Sequence, residues 1–241
     1  MTNIDGLTDA LIAARSGGAP VPPYEIDAAT AFAVQARVAA RLGPVGGFKY
    51  ASRRGTPAIM APIQAAQVLP SGATFDSGGR PVAVELEVGF RLNAAPPPVD
   101  AADFEARLRE IVTPVAAIEL VQTRLDAEAV KDDMMKLADH QLNGGLVVGE
   151  AGVWDGSPLT EVTAHLQFDG ATVLDGPVTL PFGEAFTCLM GLARMVGDHC
   201  GGLKAGDVVI TGSLNGLPWL NAPTQVQGRI AGIGEVAITL A

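Results

Sequence analysis

Between Val82 and Phe90 the chain reads Val-Ala-Val-Glu-Leu-Glu-Val-Gly-Phe, an alternation of period two that predicts a β-strand. Val82, Val84, Leu86, Val88 and Phe90 share one face of such a strand, and Ala83, Glu85, Glu87 and Gly89 share the other. Similar patterns bounded by Gly, Pro and Asp predict strands over 82–92, 115–122, 145–149, 162–168, 207–213, 224–231 and 234–240. Helical spacing appears at Leu7, Ala10, Leu11 and Ala14, ahead of a stop at Gly17-Gly18. It recurs from Asp27, an acidic cap, to Leu42, ahead of Gly43-Pro44, and again near 100–112, 128–138 and 184–198. Gly46 to Ala51 reads as a short strand leaving a glycine turn. Strands and helices do not alternate strictly, so a doubly wound parallel sheet is disfavoured and an α+β arrangement with a mainly antiparallel or mixed β core is expected. A helical and loop portion over 1–74 precedes a β-rich portion over 75–241, the two forming one compact unit.

The acids in this pattern carry the chemistry. Glu85 and Glu87 point the same way, roughly 7 Å apart along the strand. Two like charges on one face raise each other's pKa unless a cation lies between them. A third acid, Glu119, stands in the apolar run Val115-Ala116-Ala117-Ile118-Glu119-Leu120-Val121, where a carboxylate needs a partner. The plain reading of the pair is the solvated face of an antiparallel sheet, and Arg91 or Arg124 could neutralise Glu119 as a buried ion pair. One Mg²⁺ or Mn²⁺ would satisfy all three acids, because hard divalent ions take carboxylate oxygens and keep positions open for water or substrate.

Composition narrows the classes. The 241 residues, 48% of them hydrophobic, suffice for one substantial core. No apolar run approaches the roughly 20 residues of a membrane span, and the start lacks the blocks of a signal peptide, so a cytoplasmic location is expected. With 16 basic against 26 acidic residues the formal charge is -10, which disfavours nucleic acid and anionic membrane as partners but leaves room for a small anionic substrate beside a metal. Cys188 falls on the apolar stripe of the 184–198 helix, and neither it nor Cys200 has the spacing of a zinc site. His140, His165 and His199 read as structural or exposed. Phosphate-loop and serine-hydrolase signatures are missing from the sequence.

Several fragments, in order, resemble the fumarylacetoacetate hydrolase superfamily, in its branch of 2-hydroxy-2,4-dienoate (2-oxopent-4-enoate) hydratases and oxalocrotonate decarboxylases. They are Pro20-Val21-Pro22-Pro23, Gly47-Phe48-Lys49, Glu85-Leu86-Glu87, Ala117-Ile118-Glu119-Leu120, Ala138-Asp139 leading to Gly144-Gly145-Leu146-Val147-Val148-Gly149, Leu203 to Leu214, and Gly232-Ile233-Gly234-Glu235-Val236. The resemblance implies a rolled or pseudo-barrel mixed sheet with an N-terminal helical portion, and a homo-oligomer. It also implies Mg²⁺ or Mn²⁺ on Glu85, Glu87 and Glu119, with Lys49 near a small 2-oxo acid substrate. Lys49 would move protons if its pKa is lowered, or hold a carboxylate as an ammonium. Ser52, Arg54, Asp139, Thr211 and Ser213 are the expected substrate contacts, with Arg53 and Arg54 available to a second anionic group. The implied reaction is hydration of a 2-hydroxydienoate to a 4-hydroxy-2-oxo acid. The alternatives are decarboxylation of a 4-oxalocrotonate-like diacid, acylpyruvate C–C hydrolysis, and a non-catalytic binding relative. After Lys49 the branch usually continues Ile-Gly-Leu-Thr-Ser, where this chain has Tyr50-Ala51-Ser52-Arg53-Arg54.

Overall fold

The computed structural model describes every residue except Met1, Thr2, Arg54 and Ala222. The strand containing the two glutamates, β5 (Val82–Leu92), runs through an eight-stranded mixed sheet. Along that sheet the order is β2 (Ile59–Gln64), β1 (Val45–Ala51), β10 (Val208–Ser213), β5, β6 (Val112–Val121), β7 (Asn143–Ala151) and β3 (Val68–Pro70), with β11 (Trp219–Leu220) also pairing with β5. β1 lies parallel to β10 and β3 parallel to β7, and the other pairs are antiparallel. A second sheet has the order β4 (Ala73–Phe75), β13 (Gly234–Leu240), β12 (Thr224–Ile230), β8 (Glu161–Phe168) and β9 (Ala171–Thr179). The expected α+β architecture with a mixed, curled β core is the one found.

Alternation decides how the sheets stack. Val84, Leu86, Val88 and Phe90 enter one core cluster with Val226 and Ile230 of β12, Val236 and Ile238 of β13, and Phe186 and Leu189 of α5 (Ala185–Val196). Removing each such large apolar side chain from water contributes about 1.5–3 kcal/mol. β5 is thus committed to one orientation, since a one-residue slip would turn its glutamates into this core. Cys188 is in the same cluster, 3% exposed, as its place on the helical stripe requires.

The helices α1 (Ile4–Arg15), α2 (Ala28–Leu42) and α4 (Asp133–Ala138) share a second cluster built on Leu7, Leu11, Val34, Val38 and Met135. Asp27 caps α2 by accepting from Thr30 N–H at 2.8 Å. The single helix expected near 128–138 is divided: Asp132 takes an extended backbone and accepts from the N–H groups of Met134 and Met135, starting α4 afresh. A short helix, α3 (Phe104–Glu110), occupies the 100–112 region.

Between α4 and β7 the backbone turns through His140, Gln141 and Leu142, at φ 53°, 52° and 61°. Three successive non-glycine residues in the left-handed region cost roughly 1–2 kcal/mol each. A buried clamp holds them. Arg124 donates from Nε to Asp139 Oδ1 at 2.7 Å and from Nη2 to the Asp139 carbonyl at 2.9 Å, and Arg15 adds a contact to Oδ1 at 3.3 Å.

Candidate metal centre

Strand order alone makes the site. Adjacent strands β1, β10, β5, β6 and β7 carry Lys49, Gly212 and Ser213, Glu85 and Glu87, Glu119, and Asn143 respectively. Glu85 stands directly opposite Glu119, and Glu87 opposite Ser213. Glu85, Glu87 and Glu119 each offer a carboxylate oxygen, and the three atoms lie within 4.8 Å of one another.

Glu119 is fully buried and well supplied with donors. Lys49 Nζ donates to both of its oxygens at 2.7 Å and to the Gln141 carbonyl, on the left-handed turn, at 3.3 Å. Asn143 Nδ2 donates to Glu119 Oε1 at 2.8 Å. A carboxylate has about four acceptor positions, so Oε2, with one donor, keeps an open lone pair. Neither Arg91 nor Arg124 fills the space: Arg91 is exposed and Arg124 is engaged by Asp139. Glu87, 3% exposed, accepts from Gly212 N–H at 2.5 Å. Gly212 sits at φ 118°, and a Cβ there would come within 2.7 Å of the Phe182 ring, so glycine alone permits this approach.

One ammonium faces three carboxylates, and the imbalance appears in the pKa values of Glu85 and Glu87. Burial, and then the charge of Glu119, push Glu85 up to about 7, against the partial opposition of Lys49. Burial and the charges of Glu119 and Glu85 raise Glu87 well above its usual range. For Lys49, burial pulls the pKa down, but the three glutamates outweigh it and the net direction is up. The ammonium role is therefore the one the geometry gives Lys49, not the lowered-pKa role. An all-carboxylate donor set with excess negative charge fits a hard divalent cation and excludes zinc's preferred nitrogen and sulfur ligands.

A cavity of about 520 Å³ opens onto this cluster. Lys49, the three glutamates and Ser213 line it, together with Arg53, Lys136, Gln141 and Phe182. Arg53 lies over the Phe182 ring, 5.6 Å from its centroid. Three expected substrate contacts fall elsewhere. Asp139 is fully buried with its carboxylate taken by Arg124 and Arg15, Thr211 is buried and donates to the Val88 carbonyl at 2.9 Å, and neither lines the cavity. Ser52 is off the cavity lining, and Arg54 lies outside the described residues. Asn143 and Lys136 were not singled out by the sequence. Asn143 reads as turn composition before Gly144-Gly145, and Lys136 as the exposed face of a helix.

No family model matches the chain. Among solved structures, it aligns over 100% of its length, and 99% of theirs, with 4-oxalocrotonate decarboxylase from Pseudomonas putida G7. The complex with magnesium and adipate gives TM-score 0.82 at 16% identity, and the complex with calcium and acetate 0.82 at 15%. A putative fumarylacetoacetate isomerase/hydrolase from Oleispira antarctica matches at TM-score 0.58 and 15% identity, over 81% of this chain and 93% of that one. The fold is that of the fumarylacetoacetate hydrolase superfamily. Fumarylpyruvate hydrolase from Pseudomonas aeruginosa, in complex with Mn²⁺ and pyruvate, shares that fumarylacetoacetate hydrolase fold at TM-score 0.56 and 14% identity, over 80% of this chain and 88% of that one. No helix among the described residues is long and apolar enough to cross a membrane.

The raised pKa values of Glu85 and Glu87 set a pH dependence. Without metal, protonated Glu85 and Glu87 favour the fold below the ordinary carboxyl value of 4.5, and that contribution is lost as pH rises through about 7 for Glu85. Cation binding needs the ionised forms, so below that range it must expel protons, at a cost of about tenfold in affinity per proton per pH unit. Melting curves with and without Mn²⁺ should therefore separate more at about pH 8 than at about pH 6. Equal separation at both would mean that Glu85 and Glu87 do not bind the ion.

Proposed function

We propose that this chain is a divalent-metal-dependent lyase of small 2-oxo acids, and that it decarboxylates a 4-oxalocrotonate-like diacid. Glu85, Glu87 and Glu119 hold Mg²⁺ or Mn²⁺, which when bound supplies Lewis-acid polarisation of the 2-oxo acid. Lys49, an ammonium fixed by Glu119 and the Gln141 carbonyl, stabilises negative charge arriving at the 2-oxo oxygen as the carbon–carbon bonding pair moves along the conjugated chain. Phe182 and Leu217 give the cavity apolar lining for a carbon chain, and Arg53 and Lys136, the latter paired with Asp133, line it beyond the cluster. The observation that carries this reading is the full-length match to a decarboxylase, against about four-fifths coverage and lower TM-scores for the hydrolase and the putative isomerase/hydrolase.

Loss of CO₂ also suits the donors present. It needs a place for the electron pair and a proton source, and the Lys49 ammonium in the cavity lining offers positive charge for the first and a proton for the second. Hydration of a 2-hydroxydienoate is the second reading, supported by the order of sequence fragments shared with that branch. A panel of oxalocrotonates and 2-hydroxydienoates with Mn²⁺, followed by CO₂ release and by loss of ultraviolet absorbance, separates the two. We expect CO₂ from the diacid. Absorbance loss from the dienoate without CO₂ from any diacid would establish hydration instead.

A further inference from the structure

A second cavity, of about 530 Å³, is lined by none of the three glutamates; polar Arg80, Arg124, Gln122 and Asn221 line it together with apolar Pro81 and Trp219. Its surroundings are rich in positive charge although the chain's formal charge is -10. Arg15, Arg80 and Arg124 act on one another there, and Asp139 is the carboxylate set against them among the described residues. That carboxylate is fully committed to Arg124 and Arg15. Arg80 has only the Ala14 carbonyl, at 3.4 Å, among the described residues. The Arg15 side chain is 9% exposed, yet its Nε has no partner. Crowding is visible in the acidities too: burial and the Arg124 charge lower Arg15 to about 9, and burial with Arg15 and Arg124 keeps His140 neutral.

We propose that this cavity binds a small organic carboxylate, with Arg80 holding its charged end, the buried Arg124 charge behind it, and Trp219 and Pro81 covering its apolar body. A guanidinium presents five N–H donors in a planar fork that matches a carboxylate. Arg124 uses three of its five internally, on Asp139 Oδ1, the Asp139 carbonyl and the Gln122 carbonyl. The Arg124 side chain is 2% exposed, with all three nitrogens donating internally, whereas Arg80 uses one donor and keeps the others for an outside anion, with the Arg124 charge behind it. Arginine pairs of this kind with an aromatic wall select an anion that carries apolar surface over a bare one.

Titration of metal-free protein with sodium benzoate, followed by calorimetry, tests this independently of the metal centre and of any turnover. Acetate at equal ionic strength is the control. Saturable benzoate binding is expected, stronger than acetate. It should weaken about tenfold or more in Arg80→Gln, which loses a charge-assisted contact, and should also weaken in Trp219→Ala, with melting curves confirming that both variants fold. No saturable binding to the wild type overturns the proposal, as does binding that neither variant changes. If Arg80→Gln instead dissociates an assembly seen by sedimentation while benzoate never binds, a second copy of the chain occupies the cavity and the proposal fails.

Discussion

Glu119→Gln removes divalent-metal binding and turnover together while leaving a folded protein. The amide preserves volume and can still accept from Asn143, but it loses the charge that a dication needs and brings a donor to an oxygen's place. Lys49 keeps a counter-charge in Glu85 and Glu87, which also act on it, so the fold survives. Calorimetric titration with Mn²⁺ should show a fall in affinity of roughly 100-fold or more, since even supporting groups around a metal are worth 10–100-fold. Unchanged affinity would place the ion elsewhere.

Lys49→Met acts in the opposite sense on the metal and hence isolates the ammonium's role. Removing the cation leaves Glu119 buried with Asn143 as its remaining donor, and breaking a buried pair costs about 3–5 kcal/mol in the metal-free state. Mn²⁺ should restore most of that loss, because the ion now meets no competing ammonium on Glu119. At saturating metal, kcat should fall by roughly 10²–10⁴ if Lys49 stabilises or protonates the developing charge. A loss confined to KM would mean that it only holds a substrate carboxylate. Wild-type kinetics on every 2-oxo acid tried would remove Lys49 from the reaction.

Much of this site could be read in advance because its acids sit on strands with strong alternation. Glu85 and Glu87 occupy the period-two face of β5, and Glu119 interrupts an apolar run, so their direction and their need for a cation follow from local pattern. What the pattern lacks is pairing across the sheet. Asp139 and Thr211 have the residue types of a binding site, and nothing in the sequence indicates that Arg124 and the Val88 carbonyl consume them. Strand β9 escaped notice because it is a largely exposed edge, interrupted by Gly176 and Pro177, whose inward face offers only the half-buried Leu174 and Val178. Strand β2 was hidden by Pro62 and by burial along nearly its whole length, which erases alternation. The Gln141 carbonyl is a backbone group, and no side-chain pattern could assign it to Lys49.

The contacts of the carboxylate cluster join residues far apart in the chain: 70 positions separate Lys49 from Glu119, and 125 separate Glu87 from Gly212. Such pairings close late in folding, after shorter loops have formed. The three acids themselves stand on consecutive, directly paired strands, β5 and β6, so that unit brings them together before Lys49 of β1 and Gly212 of β10 arrive. A cation held by the β5–β6 pair therefore lowers the free energy of precursors as well as that of the finished sheet, so it speeds folding as well as slowing unfolding.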